Sequence, residues 1–195
     1  MAQALLELVR SNFSDAILSS HAQHGDETLV VKAERWFAVH QFLREDARAD
    51  IDMLVDLTVV DYPDRLPRFE VVSHLLSLSK GHRLRVKTAV GDEEGDDAVA
   101  ASLTGIWASA NWMEREAYDM FGVKFSGHPD LRRILLYPEF EGHPLRKDYP
   151  ADKIQPLVPF REVDNIEKLA PFGRDEGMSF GRQTHSWDAQ SGDED

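Results

Sequence analysis

One stretch limits the folds open to this chain more than any other. In residues 82–90, Leu84, Val86, Thr88 and Val90 alternate with Arg85, Lys87 and Ala89. That is the period-two pattern of a strand with one apolar and one polar face. A β-like run from Phe69 to Leu78 precedes it across the turn Lys80-Gly81-His82, so the two segments read as an antiparallel hairpin. An apolar sheet face must be covered by another layer.

The remaining periodic segments supply that layer and extend the sheet. Residues 4–13 and Glu34 to Glu45 read as amphipathic helices, the second with Trp36, Val39 and Leu43 on one stripe. Ala16-Ile17-Leu18 and Thr28-Leu29-Val30-Val31 flank His24-Gly25-Asp26 and read as a first hairpin. Met53, Val55, Leu57 and Val59 alternate with Leu54, Asp56, Thr58 and Val60, which is strand period. Residues 98–122 read as a helix with Ile106, Ala110, Met113, Ala117, Met120 and Phe121 on its apolar stripe. Gly122 stands where a C-cap glycine belongs. The expected fold is therefore α+β: an antiparallel or mixed β-sheet with helices packed on one side, followed by an extended C-terminal tail. Residues 1–150 form the domain and residues 151–195 the tail. Pro156, Pro159, Pro171, Gly173, Gly177 and Gly181 interrupt that tail, while Leu157, Val158, Phe160, Phe172, Phe180 and Trp187 are spaced along it. It reads either as disordered or as a segment that docks on a partner.

Composition removes several function classes. The chain has no cysteine, hence no disulfide, no cysteine nucleophile and no cysteine-held zinc or iron–sulfur cluster. Its net charge of −13 opposes binding to nucleic acid, which needs clustered Lys and Arg. No stretch approaches the ~20 apolar residues of a membrane-spanning helix. The N-terminal run Ala4-Leu5-Leu6-Glu7-Leu8-Val9 makes a poor signal peptide, so a cytoplasmic location is expected.

Reactive constellations are lacking as well. The sequence contains no Gly-x-Ser-x-Gly elbow, no Walker A loop and no Gly-x-Gly-x-x-Gly. The acidic loop 91–97 lacks the alternating ligands and distal Glu of a calcium loop. The eight histidines do not assemble a four-ligand spacing. No catalytic, cofactor-binding or metal-binding residue is assigned. One charge cluster stands out: residues 65–87 hold Arg65, Arg68, Lys80, Arg83, Arg85 and Lys87 against Glu70 alone. It reads as a solvated sheet face that protects an edge or as a contact for an acidic partner.

The most distinctive stretch is 111–150. Glu114-Arg115-Glu116 places three charges away from the apolar stripe, with Glu116 nearer its edge and partly buried. Arg115 and Asp119 stand at i, i+4 and can pair. Arg132, Arg133, Arg146 and Lys147 follow as cations within reach. These charges can fix the loops on the helix, hold a partner protein, or do both.

At this point the chain resembles a known family. Glu114-Arg115-Glu116, Asp119-Met120-Phe121, Gly127-His128-Pro129-Asp130-Leu131-Arg132-Arg133-Ile134-Leu135 and Leu145-Arg146-Lys147-Asp148-Tyr149-Pro150 are similar to the signature of the C-type subunit of respiratory complex I. That complex is the proton-pumping NADH:quinone oxidoreductase. The resemblance extends over roughly residues 4–150 and departs from the family pattern after Pro150. It implies an α+β domain without a cofactor, in the hydrophilic arm of the complex. This arm lies on the cytoplasmic side of the bacterial inner membrane, peripheral and not inserted. It also implies a hetero-oligomer with the D-type subunit as chief neighbour, with flavin and iron–sulfur clusters carried by other subunits. Glu114, Arg115, Glu116, Asp119, His128, Arg132, Arg133, Arg146, Lys147 and Asp148 are then structural or interface residues. The equivalent subunit of a related membrane-bound hydrogenase, or of a quinone dehydrogenase with another electron donor, is the alternative.

Overall fold

The computed structural model describes residues 2–92 and 97–156. The expected tail beyond residue 156 lies outside the described residues, as does most of the acidic loop. In chain order the elements are α1 (Ala2–Asn12), β1 (Ile17–Gln23), β2 (Asp26–Val31), a 3-10 turn (Ala33–Arg35), α2 (Trp36–Glu45), β3 (Met53–Asp61), β4 (Phe69–Ser77), β5 (His82–Val90), β6 (Val99–Ala101), α3 (Ala110–Phe121) and β7 (Lys124–Ser126).

Five strands form one sheet in the order β1-β2-β5-β4-β3. The hairpin β4–β5 pairs antiparallel in unbroken register from Phe69↔Val90 to Ser77↔His82. β2 joins β5 in parallel, so the sheet is mixed. The first hairpin turns on His24-Gly25, both at positive φ (56° and 85°). A two-residue loop of this kind matches the twist of the flanking strands.

One face of the sheet carries Leu57, Val59, Phe69, Val71, Leu75, Leu84, Val86 and Val90. Val9 of α1, Trp36, Val39 and Leu43 of α2, and Ala110 and Ala117 of α3 complete the same core. His40 is fully buried in it. Its Nδ1–H donates to the Trp36 carbonyl (2.7 Å) and its Nε2 lies 2.7 Å from the Ser73 hydroxyl. Burial lowers its pKa to about 4, so the ring is neutral at physiological pH.

Two expectations need correction. Residues 98–122 are not one helix. Val99–Ala101 instead form β6, which pairs in parallel with β7, and α3 begins only at Ala110. The basic hairpin is also less basic than it reads. Arg68 is paired with Asp61 and Asp148, Lys87 with Glu70 (2.8 Å), Arg65 with Glu70 (4.0 Å) and Arg85 with Asp26 (3.7 Å). Lys80 is exposed and donates to the Ala47 carbonyl (2.6 Å). Arg83 is exposed as well.

Candidate functional site

α3 is the post on which the signature segment hangs. Residues 127–156, the arm of this chain, contain no helix or strand, so its shape must come from side-chain contacts. Three polar clamps provide them.

The first clamp is Asp119, which is fully buried. Its Oδ2 accepts the backbone N–H groups of Ile134 (3.0 Å), Leu135 (2.8 Å) and Leu136 (2.9 Å). Its Oδ1 accepts from Nη1 of Arg133 at 2.8 Å. Burial alone raises the pKa of this carboxyl. The Leu136 N–H, the Arg133 guanidinium and the Leu135 and Ile134 N–H groups outweigh it and hold the pKa below the ordinary carboxylate range.

The second clamp closes the C-terminus of α3, where four carbonyls lack helical partners. Tyr118 O accepts from Gly122 N, and Asp119 O from His143 Nδ1 (2.9 Å). Met120 O accepts from Leu145 N and Phe121 O from Arg146 Nε (2.6 Å). α3 has no basic residue in its own last turn. Arg133 and Arg146 therefore supply from the arm the positive charge that a helix C-terminus favours. Gly122 permits the closure. Its φ is +81°, and a Cβ there would lie 2.6 Å from Arg146 Nη2 and 2.6 Å from His143 Cδ2. Burial pushes the His143 pKa down, with Arg146 and Arg133 adding to the effect against the Asp119 carbonyl and carboxylate.

The third clamp ties the end of the arm to the sheet. Arg68 donates to both oxygens of Asp61 (2.7 and 2.8 Å) and both oxygens of Asp148 (2.9 Å each). Asp61 also accepts the Lys147 N–H at 2.8 Å. Hydrogen bonds from Arg68 lower the Asp148 pKa. For Asp61, burial acts upward but is outweighed by Arg68 and the Lys147 N–H.

The remaining signature residues divide between these clamps and the surface. His128 Nδ1 accepts the Asp130 N–H (3.0 Å), so its Nε2 donates to the Asn111 carbonyl (3.2 Å) and pins the start of the arm to α3. Arg132 is exposed and pairs with Asp130 at 3.1 Å. The Lys147 side chain is exposed too.

Three readings of α3 differ from the sequence-based expectation. Arg115 does not pair with Asp119. It donates to the carbonyls of Arg132 (3.1 Å) and Arg133 (3.3 Å), because Asp119 faces the arm and is filled by other donors. Glu116 is exposed, not partly buried. Glu114, expected away from the apolar stripe, is fully buried. It accepts from the Ser102 hydroxyl (2.7 Å) and the Leu103 N–H (2.6 Å). Burial raises its pKa to about 7 despite both hydrogen bonds. The signal was present: Glu114 lies four residues after Ala110 and three before Ala117, inside the stripe. Asp61 and His143 were missed, and Arg68 was read only as a member of the basic hairpin cluster. Asp61 shares the strand face of Leu57 and Val59, which marks a buried acid in need of a cation. No such local signal marks Arg68 or His143.

The site can hold a backbone in one shape and present it. Its carboxylates are spent on guanidinium groups and amides. Among the described residues, no group of three His, Asp or Glu could hold a metal ion.

The model for the family described as "Respiratory-chain NADH dehydrogenase, 30 Kd subunit" matches residues 29–155, which span β3, β4, β5, α3 and all three clamps. The chain belongs to this family. Its relatives include proteins named as C-type subunits of NADH-quinone oxidoreductase. The one from Cereibacter sphaeroides is 42% identical over 88% of this chain and 90% of its own length. The one from Roseiflexus sp. is 44% identical over 88% and 96%. A chain from a solved structure, titled as the membrane-bound sulfane sulfur reductase, an archaeal respiratory membrane complex, shares the fold. Its TM-score is 0.62 at 24% identity, covering 76% of this chain and 85% of that one. Members of this 30 Kd family are parts of a multi-subunit respiratory oxidoreductase, and among the described residues no helix is long and apolar enough to cross a membrane.

Proposed function

We propose that this chain is a non-catalytic subunit of the peripheral arm of an NADH:quinone oxidoreductase. Electrons pass from NADH through flavin and iron–sulfur clusters in other subunits to a quinone, with proton translocation. This chain holds neighbours in place, chiefly the D-type subunit, on the cytoplasmic side of the membrane. Residues 1–150 act as the docking domain. The observation that supports this most directly is the match over residues 29–155, combined with an arm whose backbone is held by the buried carboxylates of Asp119 and Asp61. A scaffolding part also fits a chain without cysteine.

The test is purification through a tag on this chain. The expected assembly contains a D-type subunit and chains carrying flavin and iron–sulfur absorbance. The isolated chain is expected to show neither absorbance nor NADH:acceptor activity. Turnover of NADH by the isolated chain would refute the reading. Nickel–iron hydrogenase subunits in place of flavin-bearing ones would favour a complex with a different electron donor.

A further inference from the structure

Ser102, Leu103 and Thr104 open the loop between β6 and α3, and Glu114 reaches them from the helix. The loop turns on one hydroxyl. Ser102 Oγ accepts the Thr104 N–H (3.2 Å), the bond that a serine makes with the backbone two residues on. The Leu103 carbonyl accepts the N–H groups of Ile106 (2.9 Å) and Trp107 (3.0 Å), which orders the backbone that follows. Glu114 is sealed against this turn, with Oε1 on the Leu103 N–H and Oε2 on the Ser102 hydroxyl. No charged side chain among the described residues acts on the carboxyl. Burial pushes its pKa up, and only the Leu103 N–H and the Ser102 hydroxyl oppose it.

A path of oxygens leads out from this carboxyl. Ser102 is only 6% exposed. Its Oγ lies 2.7 Å from Glu114 Oε2 and 2.8 Å from Thr104 Oγ1, and either hydroxyl of the second pair can donate. Thr104 is half-buried and reaches toward solvent. A hydroxyl donates once and accepts twice, so two proton arrangements satisfy the path without moving a heavy atom. With Glu114 ionised, Thr104 donates to Ser102 and Ser102 to Oε2. With Glu114 protonated, Oε2–H donates to Ser102, Ser102 to Thr104, and Thr104 to water. The Leu103 N–H stays on Oε1 and the Thr104 N–H on Ser102 Oγ in both.

We propose that Ser102 and Thr104 form a two-hydroxyl proton relay that makes Glu114 a reversible proton-binding site of the folded chain. To load the site, water gives a proton to Thr104 Oγ1. Thr104 passes its own proton to Ser102 Oγ, and Ser102 passes its own to Glu114 Oε2. Each hydroxyl keeps one hydrogen and reverses its orientation, and the carboxylate gains one proton. Unloading runs the same steps backwards. A buried carboxyl without such a path exchanges its proton only when the segment around it opens.

The test uses the full chain and follows the C=O stretch of a protonated carboxyl by infrared absorption, with Glu114→Gln as the blank. Stopped-flow jumps from about pH 8 to about pH 6 load the site. The wild type should load at least about a hundredfold faster than the Leu103 amide opens, as read from opening-limited hydrogen exchange. Thr104→Val deletes the outer hydroxyl and leaves both partners of Glu114 in place. Its loading midpoint should stay within about one pH unit of the wild type, while loading slows by about tenfold or more. Thr104→Ser restores the hydroxyl and should load at wild-type speed. Thr104→Val that loads as fast as the wild type would overturn the relay, and so would Thr104→Ser as slow as Thr104→Val. Wild-type loading no faster than the Leu103 opening would overturn it as well, whether or not a variant folds. A wild type without a carboxyl band that Glu114→Gln lacks, between about pH 5 and about pH 8, would remove the proton site itself.

Discussion

Replacing Asp119 by alanine takes one buried acceptor away from four donors at once. Those donors are three consecutive amides and the Arg133 guanidinium, whose side chain is 17% exposed. Hydrogen bonds to a charged group are worth about 1.5–3 kcal/mol each, but their sum overstates the effect. Once the clamp is gone, residues 134–136 can lift into water, and so can Arg133. The loss is then capped by what arm docking contributes to stability. Breaking a buried pair from one side costs about 3–5 kcal/mol. With a urea m-value of about 2 kcal/mol/M, the midpoint should fall by about 1.5–2.5 M at unchanged slope. Asp119→Asn keeps one acceptor oxygen and should lose roughly half as much. Hydrogen exchange localises the effect: the amides of Ile134, Leu135 and Leu136 should lose protection while those of β4 and β5 keep theirs relative to global stability. A loss under about 1 kcal/mol, or unchanged protection at these amides, would refute the account of the arm as clamped through Asp119.

Two further outcomes follow from the same geometry. Gly122→Ala should destabilise by about 2–4 kcal/mol, from the left-handed backbone and the displacement of His143 and Arg146. Gly81→Ala, at φ +65° with open space around it, should cost only about 1–2 kcal/mol; equal losses in urea unfolding would contradict the close-approach argument. Glu114 has a folded-state pKa of about 7 against 4.5 unfolded. Between those values the native state holds the extra proton, so this group's contribution to stability falls as pH rises from about 4.5 to about 7. Glu114→Gln should remove that fall, on the order of 3 kcal/mol; stability profiles of variant and wild type that run parallel from pH 5 to 8 would rule it out.

Alternation made β4 and β5 legible, because it is local and the face toward the core repeats every second residue, and the His24-Gly25-Asp26 turn marked the first hairpin. β3 was found by the same alternation, but a register shift between Leu54 and Asp56 turns its face, so Leu54, Leu57 and Val59 are buried while Met53 and Val55 are exposed. The apolar stripe from Ala110 to Phe121 was legible from its helical period, and Gly122 marked its end. Residues 98–109 were not. Val99–Ala101 form a strand only because β7, more than twenty residues later, lies beside them, and three residues are too few to show a period. Charge partners were the least legible. Spacing offered Arg115 to Asp119, yet Arg133 and three amides hold that carboxylate.

Local pattern was enough to specify an α+β chain built on one sheet, without a cysteine ligand, and a dense signature from 111 to 150 that pointed to its family. What the signature does became visible only in three dimensions. Asp119, Arg133 and Arg146 gather at the end of α3, and Asp148 reaches Arg68 eighty residues away. A side-chain period reports which face of an element is buried, and it says nothing of which distant group will stand opposite. That choice is made when the helix docks on the sheet, and it turned a row of charges into the frame of an ordered arm.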